Sequence, residues 1–74
     1  MFTIRVIETS TGLPVDYQRV GVMFSGWTRG NTADKRTNSR GEAYFDEKTG
    51  HGTVYVNGKS VWEGDLEGLV IVYI

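Results

Sequence analysis

The sequence lacks cysteine and has one proline and one histidine in 74 residues. Without cysteine, disulfide bonds and thiolate metal sites are excluded. The single histidine, His51, argues against a histidine-based metal site within one chain. We therefore expect no metal and no cofactor.

Long apolar runs are also missing. No stretch approaches the ~20 apolar residues that a membrane-spanning helix needs. Residues 1–5 do not combine a basic region with an apolar core, so they predict no secretory signal. We expect no membrane partner and, if the chain is complete, a cytoplasmic location.

A chain of 74 residues is expected to form one domain, residues 1–74. Such a domain buries only ~60% of the surface of its unfolded chain, and it often depends on disulfides, metals or oligomerisation. Because the first two are not expected, oligomerisation is the remaining aid to stability.

A net charge of −1 is too close to neutral to favour a nucleic-acid or membrane partner. The charges are nevertheless unevenly distributed. Residues 1–41 carry six Lys or Arg and three Asp or Glu, a balance of +3, whereas residues 42–74 carry two and six, a balance of −4. Solvated strands and loops explain this asymmetry most simply. Association between opposite ends of neighbouring copies is the alternative.

Apolar and polar residues alternate with a period of two, which predicts strands, and no segment keeps a helical period. Strands are predicted over Phe2–Glu8, Arg19–Phe24 and Glu42–Asp46, and a polar edge strand within Thr32–Thr37. Leu69–Ile74 is apolar on both faces, which is typical of a strand that is central or covered by another layer or subunit. The predicted core is Phe2, Ile4, Val6, Val20, Val22, Phe24, Phe45, Val54, Val56, Val61 and Ile71.

Asn57-Gly58 predicts a two-residue β-hairpin turn, because such a turn needs positive φ at both central positions and Asn-Gly tolerates this best. Counting outward from the turn pairs Val56 with Lys59, Tyr55 with Ser60, Val54 with Val61 and Thr53 with Trp62. This register puts valines on one face of the hairpin. It puts Tyr55 and Trp62 on the other face as diagonal neighbours.

Two segments carry a family resemblance. Thr11-Gly12-Leu13-Pro14-Val15 precedes a valine-rich strand, and Thr37–Phe45 contains Asn38-Ser39-Arg40-Gly41 before an aromatic strand. Together they resemble the carboxypeptidase regulatory-like domains over about residues 2–56, although Asn38 stands where that family prefers Asp. The resemblance implies a prealbumin (transthyretin-like) β-sandwich and a non-catalytic accessory module that is regulatory, adhesive or carbohydrate-binding.

Catalytic chemistry has little support in the sequence. His51 lies between two glycines in an expected turn, and no Gly-x-Ser-x-Gly nucleophile elbow is present. The acidic residues lie mostly in connections, where no apolar pocket would raise the pKa of a carboxyl group for glycoside hydrolysis. We therefore expect no enzyme activity and name no catalytic residue.

Two groups of residues are candidate binding surfaces. Trp27, Tyr55 and Trp62 are aromatic residues that a protein or a carbohydrate would contact, unless the fold itself covers them. Arg29, Lys35, Arg36 and Arg40 lie in or near the glycine-rich loop over Ser25–Arg36, and they suggest a weaker alternative, single-stranded nucleic acid.

The sequence thus predicts an all-β fold, a small two-sheet β-sandwich of the prealbumin/immunoglobulin-like kind with about six or seven strands. The expected function is a non-enzymatic binding or structural module. Its partner is expected to be a second copy of itself, giving a homo-oligomer, or another protein. The contact is expected at Leu69–Ile74 or at the Tyr55/Trp62 face.

Overall fold

The chain forms seven strands in two sheets, a small all-β sandwich, in a computed structural model that describes residues 1–26 and 30–74. The strands are β1 (Phe2–Ile7), β2 (Arg19–Phe24), β3 (Lys35–Arg36), β4 (Glu42–Phe45), β5 (Gly50–Val56), β6 (Lys59–Leu66) and β7 (Gly68–Tyr73). The three-stranded sheet has the order β4-β1-β7, and the four-stranded sheet has the order β3-β2-β5-β6.

The core lies between the inner faces of the two sheets. It contains a group of three rings: Phe2 stacks on Phe45 with centroids 5.3 Å apart, and Phe24 meets Phe2 edge-on at 6.1 Å. The buried apolar residues are Phe2, Ile4, Val6, Val20, Val22, Phe24, Ala43, Phe45, Val54, Val56, Leu66, Val70 and Val72. Nine of the eleven predicted core residues are among them.

The other two predicted core residues, Val61 and Ile71, need correction. Val61 is only half-buried, and Ile71 is 39% exposed. β7 pairs in parallel with β1 in a register that sets Val72 beside Val6 and Val70 beside Ile4. Because successive side chains of a strand point to opposite faces, this register directs Ile71 outward.

The hairpin turn is as predicted, with φ of 53° at Asn57 and 82° at Gly58. The predicted register holds for the first two pairs and then fails at a bulge, after which Val54 lies opposite Trp62 and Thr53 opposite Glu63. A one-residue shift moves the rest of a strand to the other face. Trp62 is therefore half-buried against the core, and it does not share a face with Tyr55.

β7 is an edge strand of the three-stranded sheet, so of the two alternatives for Leu69–Ile74 the central position is excluded. β3 is also an edge strand, and its position agrees with the polar edge predicted within Thr32–Thr37. The two remaining sheet edges are β4 and β6.

Candidate functional site

The outer face of the three-stranded sheet carries a row of exposed apolar side chains on β7. Leu69 is 49% exposed, Ile71 39% and Tyr73 59%. We call these three residues the β7 stripe. Tyr44, on the opposite edge of the same sheet, is 56% exposed, and Ile7 on the central strand is half-buried. Contiguous apolar exposure of this kind is typical of an interaction site.

The backbone N–H and C=O groups of the β7 stripe point away from β1, to the open edge of the sheet. Beyond Tyr73, the N–H of Ile74 donates to Ile7 O and its carbonyl accepts from Thr9 N–H, both at 3.0 Å. Backbone groups of a strand turn alternately to one side and the other, so Val70 and Val72 bond β1 in the same way. The N–H and C=O groups of Leu69, Ile71 and Tyr73 consequently point to the open edge.

The other three edges have features that discourage pairing with another chain. β3 is two residues long, both charged, and β4 is four residues long and begins with Glu42. β6 is long, but it contains the bulge and the exposed acids Glu63 and Asp65. Shortness, charge and bulges are the usual protections of an edge strand. β7 has six uncharged residues in regular register.

A polar network lies beside the β7 stripe and holds the neighbouring side chains in place. Arg5 donates through Nε to Glu42 Oε2 at 3.1 Å and also through Nη2, and Tyr44 OH donates to Glu42 Oε1 at 2.8 Å. Asn38 Nδ2 donates to Tyr44 OH at 3.3 Å. Since Arg5 is the cross-strand neighbour of Ile71, the network fixes the surface against which a partner would pack.

The same network makes the stability of the fold depend on pH. The hydrogen bonds from Arg5, and then that from Tyr44, lower the pKa of Glu42 below its ordinary value of 4.5. A carboxyl group with a lowered pKa contributes stability above its unfolded-state pKa and loses it as the pH falls through its folded-state pKa. We expect the free energy of unfolding to fall more steeply below about pH 4.5 for the wild type than for Glu42→Gln. Urea denaturation across that range would show this, and parallel pH profiles would contradict it.

A groove lies where the end of β7 meets the hairpin. It has a volume of about 530 Å³ and lies between Val56 and Val61 on one side and Tyr73 and Ile74 on the other, with Lys59 at its rim. The groove extends the apolar surface of the β7 stripe around the edge of the sandwich.

The predicted aromatic surface is not assembled in the way the sequence suggested. Trp27 lies outside the described residues. Tyr55 is half-buried on the outer face of the four-stranded sheet, opposite Gly21, whereas Trp62 lies on the inner side with its ring over Gly64. The carbohydrate alternative, which needed exposed Trp and Tyr side chains together, loses the Tyr55–Trp62 pair.

Beside Tyr55 lies a shallow pocket of about 230 Å³, with Gly21 as its floor. The carboxylate of Asp34 occupies the space that a side chain at Gly21 would need. Arg19 Nε holds this carboxylate at 3.2 Å. Because glycine has no Cβ, the Arg19–Asp34 ion pair can lie directly over Gly21.

The predicted basic residues that the structure describes lie in two different segments. Arg29 lies outside the described residues, Lys35 and Arg36 form β3, and Arg40 lines a different pocket with Arg5 and Ile7. On β3, Arg36 stands directly opposite Arg19 of β2. The described cations of this set are thus divided between β3 and the turn before β4.

Tyr17 is a candidate that the sequence analysis missed. Its φ is +57°, a left-handed conformation that bulky residues rarely adopt, and its side chain is 70% exposed. The guanidinium carbon of Arg36 lies 4.6 Å from its ring centroid. No sequence signal identifies the turn, because glycine or asparagine is the usual residue at such a position.

His51 lies on β5, not in the expected turn, and its Nδ1 is 2.9 Å from Ser25 Oγ. Both side chains are exposed, and no described carboxylate lies within ion-pair distance of the ring. A nucleophile and base need a third group that orients the base, so this geometry does not favour nucleophilic catalysis. Within residues 1–26 and 30–74, no group of three or more metal-binding side chains is present.

Comparison of the chain with family models, with curated proteins and with solved structures finds no match. The resemblance to carboxypeptidase regulatory-like domains therefore stays a prediction. The described part of the chain contains no helix that is long and apolar enough to cross a membrane.

Proposed function

We propose that this chain is a non-enzymatic interaction module that pairs with a second copy of itself through β7. The main support for the proposal is the difference between β7 and the other three edge strands in their protection against pairing. β7 combines outward-facing backbone groups with exposed apolar side chains, whereas the other three edges are short, charged or bulged. Open strand edges of this kind recruit another strand by backbone hydrogen bonding.

The β7 stripe is self-complementary in an antiparallel arrangement. A two-fold axis at Ile71 would set Ile71 opposite Ile71 of the second copy and Leu69 opposite the second copy's Tyr73. The outward backbone groups of these residues would form three hydrogen-bonded pairs and about six hydrogen bonds. All the paired side chains would lie on the outer face as apolar cross-strand neighbours, which stabilise a sheet.

The energies are consistent with a weak dimer. Burial of about 600 Å² of apolar surface contributes on the order of 15 kcal/mol. The loss of translational and rotational freedom costs roughly 4–15 kcal/mol. Six residues per copy form a smaller contact than the roughly 20–30 residues a side that are typical of stable complexes, so we expect a dissociation constant in the micromolar range.

Replacement of Ile71 by glutamate tests the proposal. In Ile71→Glu two carboxylates would face each other across the two-fold axis, where like charges destabilise pairing. We expect light scattering at tens of micromolar to give about twice the 8.3 kDa chain mass for the wild type and a single chain mass for Ile71→Glu.

Met23→Glu is the matched control. Met23 is 44% exposed on the outer face of the other sheet, so the change is the same in chemistry and similar in exposure. We expect it to leave the dimer intact. A wild-type mass of one chain, or dissociation by Met23→Glu but not by Ile71→Glu, would rule out the β7 interface.

A further inference from the structure

Tyr17 and Arg36 form an exposed pair at the β3 edge of the four-stranded sheet, whereas β7 is an edge of the other sheet. We propose that this pair binds a polypeptide partner that presents a carboxylate next to an apolar side chain. The carboxylate would bind the guanidinium of Arg36, and the apolar group would pack on Tyr17. This proposal does not depend on dimerisation through β7.

The first observation is that the strained conformation of Tyr17 is held by several hydrogen bonds. Thr37 is 5% exposed, and its Oγ1 accepts from Gln18 N–H at 2.8 Å and donates to Val15 O at 2.9 Å. Its carbonyl accepts from Tyr17 N–H, and its own N–H donates to Gln18 O, both at 2.9 Å. Strain that the surrounding structure maintains in this way is found mainly at functional sites.

The second observation is that the guanidinium of Arg36 has no carboxylate partner among the described residues. Its Nη1 donates to Tyr17 O at 3.2 Å, which together with the ring contact fixes the guanidinium. Neither the Arg5–Glu42 nor the Arg19–Asp34 ion pair involves Arg36, and no described carboxylate lies within ion-pair distance of its guanidinium. A guanidinium prefers to bind a carboxylate through two parallel hydrogen bonds.

The third argument is that these contacts would pre-organise Tyr17 and Arg36 for binding. Tyr and Arg are enriched among the residues that dominate protein–protein binding, and side chains that are already fixed lose little entropy on binding. Nucleic acid fits less well, because non-specific binding needs many phosphate contacts. Among the described residues of the β2–β3 edge, Arg36 and Lys35 are the cations without an ion-pair partner, since Arg19 pairs with Asp34.

Nuclear magnetic resonance titration of the labelled full chain tests the proposal. The probes are a tripeptide with aspartate between two apolar residues, acetylated at its N-terminus and amidated at its C-terminus, the same capped tripeptide with asparagine, and a single-stranded oligothymidine. We expect the aspartate tripeptide to shift the signals of Tyr17 and Arg36, and the asparagine tripeptide to bind at least about tenfold more weakly. Equal binding of both tripeptides, no shift at these residues, or binding of the oligonucleotide alone would overturn the proposal.

Two variants separate binding from folding. Asparagine tolerates the left-handed conformation, so we expect Tyr17→Asn to melt no lower than the wild type while it binds the aspartate tripeptide at least about tenfold more weakly. Arg36→Gln should weaken binding similarly, and the control Arg40→Gln, on a separate surface, should not. Unchanged binding in Tyr17→Asn, or equal loss in Arg40→Gln, would show that the pair is not the binding site.

Discussion

Truncation of Phe45 to alanine is expected to cost about 3–5 kcal/mol, most of the stability of a domain this small. Phe45 is 1% exposed and stacks on its cross-strand partner Phe2 with the rings 12° from parallel. Phe2 in turn meets Phe24, so one ring joins strands from both sheets. Because close-packed surroundings relax only partly, Phe45→Ala would leave a cavity at the point where the sheets meet.

Urea denaturation followed by circular dichroism measures this cost. The control is Leu13→Ala, since Leu13 is 63% exposed and its truncation should change the free energy of unfolding by less than ~1 kcal/mol. A Phe45→Ala variant within ~1 kcal/mol of the wild type would show that the packing of this ring in the core has been misassigned.

Replacement of Gly41 by alanine is expected to cause the second large loss in the free energy of unfolding. Gly41 has φ of +73°, and a Cβ there would lie 2.7 Å from Val6 O, 2.8 Å from Pro14 Cβ and 3.1 Å from Val15 N. The left-handed conformation costs a non-glycine residue roughly 1–2 kcal/mol. Overpacking against backbone adds about 1–3 kcal/mol, so Gly41→Ala should lose about 3 kcal/mol in all.

Gly12 supplies a matched control for the steric part. Its φ is +71°, but nothing lies within 4 Å of a Cβ built there. We expect Gly12→Ala to cost about 1–2 kcal/mol from the backbone alone. The difference between the two variants measures the close approach at Gly41. Equal losses in urea denaturation would mean that the Asn38–Gly41 turn does not pack tightly against β1 and Pro14.

Elements with a strong local signal were predictable from the sequence. β2 has the predicted bounds, Arg19–Phe24, because its valines alternate between clear turn signals. The Asn57-Gly58 turn has positive φ at both positions, because few residue pairs other than Asn-Gly accept that geometry. Both results depend on rules that act over a few neighbouring residues.

Features that depend on the partner strand were not predictable. The bulge in β6 places Trp62 against the core, and an alternating pattern gives no sign of it. In Leu69–Ile74 every residue is apolar, so the sequence could not decide which face of β7 is inside; pairing with β1 decides it. The conformation of Tyr17 depends on hydrogen bonds to Thr37, twenty positions later.

The candidate site was predictable only in part. The sequence indicated Leu69–Ile74 as a contact region because a strand that is apolar on both faces needs cover. It did not distinguish β7 from the Tyr55/Trp62 face, since that distinction depends on the bulge and on which strands form edges. That the region mediates self-association remains a proposal.

Amide hydrogen exchange at two protein concentrations tests self-association through β7 most directly. In a single chain the N–H groups of Leu69, Ile71 and Tyr73 face solvent, whereas those of Val70 and Val72 bond β1. We predict that raising the concentration slows exchange at the first three residues and leaves Val70 and Val72 unchanged. Exchange at Leu69, Ile71 and Tyr73 that is equally fast at both concentrations, in samples that scatter light as dimers, would contradict the proposed interface.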